Sequence, residues 1–136
     1  MKILGIEHIG IATDNFDKDA LFWKLLLKNC EHSTEEIKEQ KVITKIFDTG
    51  QGKIELLEAT SSESPIAKFI SKKGIGIHHI CLQVDDIKLA IAELTESGVD
   101  LIDSTPRIGA EGYLIAFIHP RSTGGVLVEL VEKSVA

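Results

Sequence analysis

One stretch of the chain occurs twice, and this repeat limits the possible folds more than any other feature. Residues 6–14 (IEHIGIATD) reappear as residues 77–85 (IHHICLQVD), with His8 aligned on His79. Both copies alternate apolar and polar residues as a half-buried strand does, and both end at an aspartate that precedes an amphipathic helical run. The pattern predicts the same strand and the same helix at the start of two related halves.

A second pair of matching segments lies further along each half. Residues 53–58 (KIELLE) answer to residues 127–132 (LVELVE), and Glu55 aligns with Glu129. The spacing from the first segment is slightly longer in the second half, as a short loop insertion would make it. Each half therefore offers one histidine from its first strand and one glutamate from its last.

The remaining elements follow from periodicity and from helix-end signals. Residues 64–73 predict a bridging helix, because a serine can cap it, a proline suits its first position and a glycine follows its end. Helices are also predicted after Asp14 or Asn15, and from Asp85 and Asp86 onward. Strands are predicted at 3–12, 42–48, 54–58, 99–103, 114–119 and 126–131, with a short strand or loop at 35–41. These elements predict an α+β fold in a single domain of residues 1–136, with module one at about 1–60, the bridging helix at about 64–73 and module two at about 75–133.

The composition argues against several classes of function. A net charge of −6 and a pI near 5.3 are unfavourable for nucleic-acid binding, which needs a basic face. No apolar run approaches the roughly 18 residues of a membrane span, and the N-terminus lacks the apolar region of a signal peptide. Cys30 and Cys81 have no CxxC partner, which indicates two reduced structural thiols. The sequence therefore predicts a cytoplasmic protein with no nucleic-acid or membrane partner.

The matched residues His8, His79, Glu55 and Glu129 carry the predicted chemistry. Two related β-rich halves usually pack about a pseudo-two-fold axis, so the two histidines would face each other, as would the two glutamates. Two imidazoles and two carboxylates in a concave sheet suit a divalent metal such as Zn, Co, Ni, Mn or Fe(II), with coordination positions left for substrate or water. A single histidine in a strand is usually structural, so the prediction depends on all four positions matching.

Other polar residues have simpler interpretations. His78 is adjacent to His79, so in a strand it points to the other face, and we interpret it and His119 as structural. Arg121 lies on a turn beside Ser-Thr-Gly, where contact with a substrate carboxylate or phosphate and plain solvation are equally open.

Three segments together carry a family resemblance: EHIGIA, then SPIAKFI with GIHHIC and VDDI, then RIGA with FIHP-R-STGGVLVEL. They resemble the methylmalonyl-CoA epimerases of the glyoxalase or vicinal-oxygen-chelate superfamily, over essentially the whole chain. The resemblance implies two βαβββ modules that form a curved, mostly antiparallel sheet around a metal site, and a homodimer. It also implies that His8, Glu55, His79 and Glu129 are the metal ligands, with cobalt as the first choice and Zn, Ni or Mn as others.

The implied reaction interconverts (R)- and (S)-methylmalonyl-CoA, an acyl-CoA substrate, by removing a proton from one face of a carbon and returning one to the other face. Glu129 is the first candidate for one acid/base. Some family members place a further glutamate where this chain has Thr44, and a threonine is too weak a base for that role. Either Glu55 takes the second role from its ligand position or a metal-bound water does.

Two competing functions stay open on the sequence. Glyoxalase I, a lyase acting on a glutathione hemithioacetal, uses the same His/Glu/His/Glu set in its bacterial members, although the STGGVLVEL ending favours the epimerase. A non-catalytic binding protein of the same fold is the other alternative, but such proteins commonly lack the full ligand set.

Overall fold

The structure, a computed structural model, describes residues 1–133. Its helices and strands are β1 (Ile3–Thr13), α1 (Phe16–Leu26), β2 (Glu31–Ile37), β3 (Val42–Asp48), β4 (Lys53–Ala59), α2 (Pro65–Lys73), β5 (Gly76–Val84), α3 (Ile87–Glu96), β6 (Arg107–Ile108), β7 (Leu114–Ile118) and β8 (Val128–Glu132). A βαβββ order therefore occurs twice, with α2 between the two copies. The predicted fold class is confirmed.

The chain divides into two compact units, one formed by His8–His78 and the other by Met1–Glu7 together with the chain from His79 onward. In the unit His8–His78 the strand order is β2-β3-β4-β1. β3 is antiparallel to β2 and to β4, whereas β1 runs parallel to β4 and places Gly10 opposite Glu55.

Helix α1 covers one face of this sheet. Because side chains alternate along a strand, Phe47 and Leu56 point to this face and pack with Phe16 and Ala20 of the helix. Trp23 is a partly buried member of the same cluster. The opposite face carries a second cluster, in which Ala12, Val42 and Leu57 pack with Ile66 of α2.

The other unit has the strand order β5-β8-β7-β6. β5 runs parallel to β8, and β7 is antiparallel to both β8 and β6. Helix α3 packs on one face through a buried cluster that comprises Val84, Ile87, Ala90, Ile91, Ala116, Ile118 and Leu130. The N-terminal segment joins this unit through Lys2, whose N–H donates to Asp85 Oδ1 at 2.9 Å and whose carbonyl accepts from the Asp85 N–H at 3.1 Å.

The predicted bridging helix is confirmed as α2. Ser64 lies at its N-cap and accepts a hydrogen bond from the Ile66 N–H, and Pro65 lies in its first turn. Helices after Asn15 and Asp86 are confirmed in the same way, since both side chains accept N–H bonds from the first turn of α1 and α3. Among the described residues, no helix is both long enough and apolar enough to cross a membrane.

The edge element predicted at 35–41 is confirmed in part, because residues 35–37 lie in the edge strand β2 and a short 3-10 turn follows, but the strand begins earlier, at Glu31. Pairing of the whole of β2 with β3 outweighs its polar composition, which an edge strand tolerates. The strand predicted at 99–103 does not form. Residues 99–103 make only a single bridge, Leu101 to Ile118, because the Asp103 carboxylate accepts the Phe117 N–H at 2.9 Å instead of continuing a ladder.

Candidate metal and proton-transfer site

The first candidate pair lies in the unit His8–His78. His8 Nδ1 is 3.1 Å from Glu55 Oε2, and the two residues are 6% and 4% exposed. They meet because β1 and β4 are parallel neighbours in which Gly10, two residues after the histidine on the same face, lies opposite Glu55. Leu57 shares this face, so the pair lies on the side of the sheet that faces away from α1.

The second candidate pair lies in the other unit. His79 Nε2 is 2.9 Å from Glu129 Oε1, and the two residues are 5% and 6% exposed. Here Cys81 of β5 lies opposite Glu129 of the parallel strand β8. The His79 ring meets the ring of Phe117 edge to face at a centroid distance of 5.7 Å, which fixes the imidazole from the β7 side.

The two pairs have the same construction. In each unit the residue two positions after the histidine, Gly10 or Cys81, is the register partner of the glutamate. The repeat in the sequence is therefore a repeat of strand register, and it explains why a histidine and a glutamate far apart in sequence meet in each half. Each pair also lies on the face that its own first helix leaves uncovered.

The chemistry of these donors fits a divalent metal. A carboxylate that is more than nine-tenths buried is costly unless it is paired or coordinated, and in each unit an imidazole supplies the partner. His8, His79 and Glu129 are candidate metal ligands, and the equivalent position of Glu55 adds a fourth. Neutral imidazole with carboxylate is a ligand set that Zn, Co, Ni and Mn accept.

Thr44 gives this region a feature that the sequence did not reveal. It is 1% exposed, and among the side chains of residues 1–133 its Oγ1 is a fully buried polar atom without a hydrogen-bond partner. Thr44 lies opposite Leu57 in the register of β3 and β4, so it shares the sheet face of Glu55. The sequence marked Thr44 only as a departure from the family pattern, because polar satisfaction cannot be read from sequence.

The sequence also did not predict an ion pair between a buried glutamate and a partly exposed lysine. Glu7 is 7% exposed, and its Oε2 lies 2.5 Å from Lys133 Nζ, which also lies 5.5 Å from the centre of the Tyr113 ring. Both ends belong to the unit that contains His79. No spacing or motif links a glutamate in the first strand to a lysine after the last, so the sequence carried no signal for this pair.

The other polar residues considered above have local partners. His78 packs edge to face on Phe69 at a centroid distance of 4.9 Å. His119 Nδ1 accepts the N–H of Arg121 at 3.1 Å, and Arg121 in turn makes an exposed ion pair with Asp100 at 2.7 Å. The structural interpretation of His119 is consistent with its role as the cap of this turn, and Arg121 lies in the same turn between β7 and β8.

Comparisons with known proteins agree with this architecture. A model of the Glyoxalase/Bleomycin resistance protein/Dioxygenase superfamily matches residues 7–117. The mitochondrial methylmalonyl-CoA epimerase of Dictyostelium discoideum is 41% identical over 129 residues, which cover 94% of this chain and 78% of that relative. The crystal structure of methylmalonyl-CoA epimerase from Mycobacterium tuberculosis matches with a TM-score of 0.89 at 32% identity, covering 98% of this chain and 90% of the other. A methylmalonyl-CoA epimerase in complex with methylmalonyl-CoA and NH4+ matches with a TM-score of 0.89 at 33% identity, covering 98% and 97%.

Proposed function

Because the chain belongs to the methylmalonyl-CoA epimerases of the Glyoxalase/Bleomycin resistance protein/Dioxygenase superfamily and is an epimerase, we propose that it interconverts (R)- and (S)-methylmalonyl-CoA with a divalent metal. The observation that carries the proposal is the repeated buried histidine–glutamate pair, 3.1 Å and 2.9 Å between the paired atoms. Two histidine–glutamate pairs with the same strand register are expected when both halves contribute ligands to one active site.

In this proposal His8, Glu55, His79 and Glu129 hold the metal. Cobalt is the first choice by family resemblance, and Zn, Ni and Mn are compatible with the same donors. A divalent ion bound to these residues would stabilise the negative charge that develops on the thioester oxygen when the neighbouring carbon loses its proton.

The protein itself must supply the proton transfers. The carbon between a thioester and a carboxylate is too weak an acid for an unassisted carboxylate at neutral pH, so the base must be held against it in fixed geometry. We assign this role to a carboxylate oxygen of Glu129, whose orientation His79 fixes through the 2.9 Å contact. The proton for the opposite face comes from Glu55, whose orientation His8 fixes in the same manner.

Burial of both glutamates serves the chemistry directly. A carboxylate from which bulk water is excluded keeps its proton from exchanging at random and meets the substrate without a hydration shell to remove. Glu55 and Glu129 are 4% and 6% exposed, which meets this requirement.

Exchange of deuterium into (S)-methylmalonyl-CoA tests the proposal. In D2O, the metal-loaded protein should incorporate deuterium with inversion, and Glu129→Gln should lower kcat by about 100-fold or more. Glu31→Gln is the matched control, because Glu31 is an exposed glutamate at the start of the edge strand β2. Measured metal content should be the same in the control and in the wild type.

The same assay separates the alternatives. If the protein converts the glutathione hemithioacetal of methylglyoxal and does not invert methylmalonyl-CoA, its activity is that of glyoxalase I and not that of an epimerase. Binding of methylmalonyl-CoA with neither reaction would indicate a binding protein, and either result overturns the proposed function.

Two further proposals concern the molecule in the cell. We place the enzyme in the cytoplasm, and we propose that it is a homodimer, as the family resemblance implies. Exposed apolar side chains such as Leu25, 71% exposed on α1, and Ile77, 63% exposed on β5, support a buried interface. Light scattering after gel filtration should give about twice the chain mass of 14.9 kDa, and a mass of one chain would exclude the dimer.

A further inference from the structure

Three residues outside the candidate ligand set form a series of contacts that ends on the His79 imidazole. Asp103 Oδ2 accepts the Phe117 N–H at 2.9 Å, and Asp103 Oδ1 lies 3.1 Å from Arg107 Nε. The Arg107 guanidinium carbon lies 5.5 Å from the centre of the Phe117 ring. The Phe117 ring in turn meets the His79 ring edge to face, with 5.7 Å between the ring centres and 77° between the planes. All four residues belong to one unit.

The register of the strands explains why these contacts reach the site. Arg107 of β6 lies opposite Ile115 of β7, and Phe117 lies two residues further along β7 on the same face. Phe117 is itself the register partner of Glu129 on β8, and directly opposite residues share a sheet face. The arginine side chain therefore extends along β7 to a ring that lies on the strand next to Glu129.

The ion pair of Asp103 and Arg107 contributes more to geometry than to stability. The Arg107 side chain is 44% exposed and that of Asp103 is 15% exposed, and an ion pair in contact with water stabilises a fold only weakly. A cation over an aromatic ring and an edge-to-face ring pair, in contrast, favour one orientation of the ring. Phe117 therefore presents a fixed surface to the imidazole. A metal-binding histidine needs a fixed orientation, because its ring nitrogen must point at the ion.

The other unit has different residues at the corresponding positions. Ile46 stands at the position of Phe117, because each is the register partner of the glutamate of its own unit. Glu35 stands at the position of Arg107, because each pairs with the residue two positions earlier on the neighbouring strand. An aliphatic side chain and a glutamate cannot form a cation–π contact. The two units therefore share their histidine–glutamate pairs but differ in the residues beside them.

We propose that Asp103 and Arg107 are positioning residues, which orient the His79 imidazole by holding the Phe117 ring against it. The inference rests on the proposed function only in that His79 serves there as a metal ligand. Replacing a neighbour that orients a metal ligand lowers metal affinity by about 10–100-fold. Arg107 acts through a second residue, so its replacement should lie at the lower end of that range.

Two measurements without substrate test this role. In the metal-free protein, Arg107→Gln should move the ring resonances of His79 in an NMR spectrum, because the ring current at His79 changes when the Phe117 ring turns, whereas the His8 resonances should stay in place. Binding of Co²⁺ should weaken about tenfold. Arg121→Gln is the matched control, because it breaks an exposed arginine–aspartate pair of the same unit, with 2.7 Å between Nε and Oδ2, and it should change neither measurement.

A double variant shows whether the effect passes through the ring. Phe117→Leu should also shift the His79 resonances and weaken Co²⁺ binding, and Arg107→Gln should add little in that background, because the contact that it removes is already gone. Asp103→Asn, which removes the charge that pairs with Arg107, should move the same resonances.

Three results would each overturn the positioning role, even in a wild type that inverts methylmalonyl-CoA. They are additive effects in the double variant, an unchanged His79 spectrum in Arg107→Gln, and equal shifts at His8 and His79, which would indicate a general change of the fold. If the wild type shows no inversion and the variants still behave as expected, the epimerase proposal fails and the positioning of His79 is supported.

Discussion

Gly5 and Gly76 each lie shortly before a site histidine, in a backbone conformation that side chains avoid. Their φ angles are 153° and 150°, although Gly5 lies inside β1 and Gly76 is the first residue of β5. A Cβ on either would meet no atom within 4 Å, so the requirement for glycine comes from the backbone and not from packing.

Replacing Gly76 with alanine should therefore destabilise the fold by about 1–3 kcal/mol through backbone strain alone. Gly109→Ala is an informative comparison, because Gly109 has φ of −110° but a Cβ there would lie 2.8 Å from the Ile115 side chain. Urea denaturation of both variants measures the two costs. An unchanged midpoint for Gly76→Ala would show that the strand relaxes to an ordinary φ.

The residues of the site differ in how far the sequence could predict them. The sequence predicted four site residues, because the same strand register in both halves requires the same residue types at matching positions: His8, Glu55, His79 and Glu129. The structure brings each histidine to its glutamate. That all four residues bind a single metal ion remains a prediction. The missing hydrogen-bond partner of the Thr44 hydroxyl could not be predicted from the sequence, because the available partners depend on which strands become neighbours.

At the scale of elements, the last strand of each module caps the helix that follows its first strand. Glu58 Oε1 accepts the Phe16 N–H at 3.0 Å at the start of α1, and Glu132 Oε1 accepts the Ile87 N–H at 2.8 Å at the start of α3. A carboxylate at a helix N-terminus satisfies a free N–H and opposes the positive end of the helix dipole. The two modules thus share a capping device as well as a site pair.

Truncation of either cap should loosen the helix from its sheet. Glu58→Ala and Glu132→Ala should each lower the free energy of unfolding by about 1.5–3 kcal/mol, the range for hydrogen bonds to a charged group. Glu58→Gln keeps an acceptor oxygen and should lose less. Equal losses for the alanine and glutamine variants would mean that the contribution is charge and not the hydrogen bond.

Strands were predictable where they were apolar and long, and not where they were polar or short. Residues 42–48 are rich in β-branched side chains, and β3 forms over that range. β2 carries the polar sequence EHSTEEI and β6 has only two residues, so both depend on a neighbouring strand rather than on their own composition.

At the scale of the whole chain, a pair of hydrogen bonds attaches the first residues to a segment more than eighty positions away. The hydrogen bond from the Lys2 N–H holds the pKa of Asp85 below its ordinary value, with further bonds from the Asp86 and Asp85 N–H groups. The unfolded chain has the ordinary pKa of about 3.9, so the ionised carboxylate stabilises the fold fully above about pH 4. This stabilisation is lost as the pH falls through the lowered folded value.

Asp85→Asn should therefore cost stability at neutral pH and cost less in acid, where the wild-type carboxylate is itself protonated. Thermal unfolding of both proteins at about pH 7 and about pH 2 measures the change in their difference. The same difference at both pH values would show that the charge of Asp85 contributes nothing to the attachment.

Whether the two histidine–glutamate pairs serve one ion or two is a question of stoichiometry, and stability can answer it. An ion that binds only the folded chain stabilises it by RT ln(1 + [L]/Kd), about 2.7 kcal/mol at a hundred times Kd. If all four residues bind one ion, titration of the chelator-stripped protein with Co²⁺ should give one ion per chain. His8→Ala and His79→Ala should then each abolish most of the thermal shift, since a three-ligand remnant binds weakly. Two ions per chain, with each variant losing one ion and keeping half of the shift, would mean separate sites and would remove the basis for a shared reaction centre.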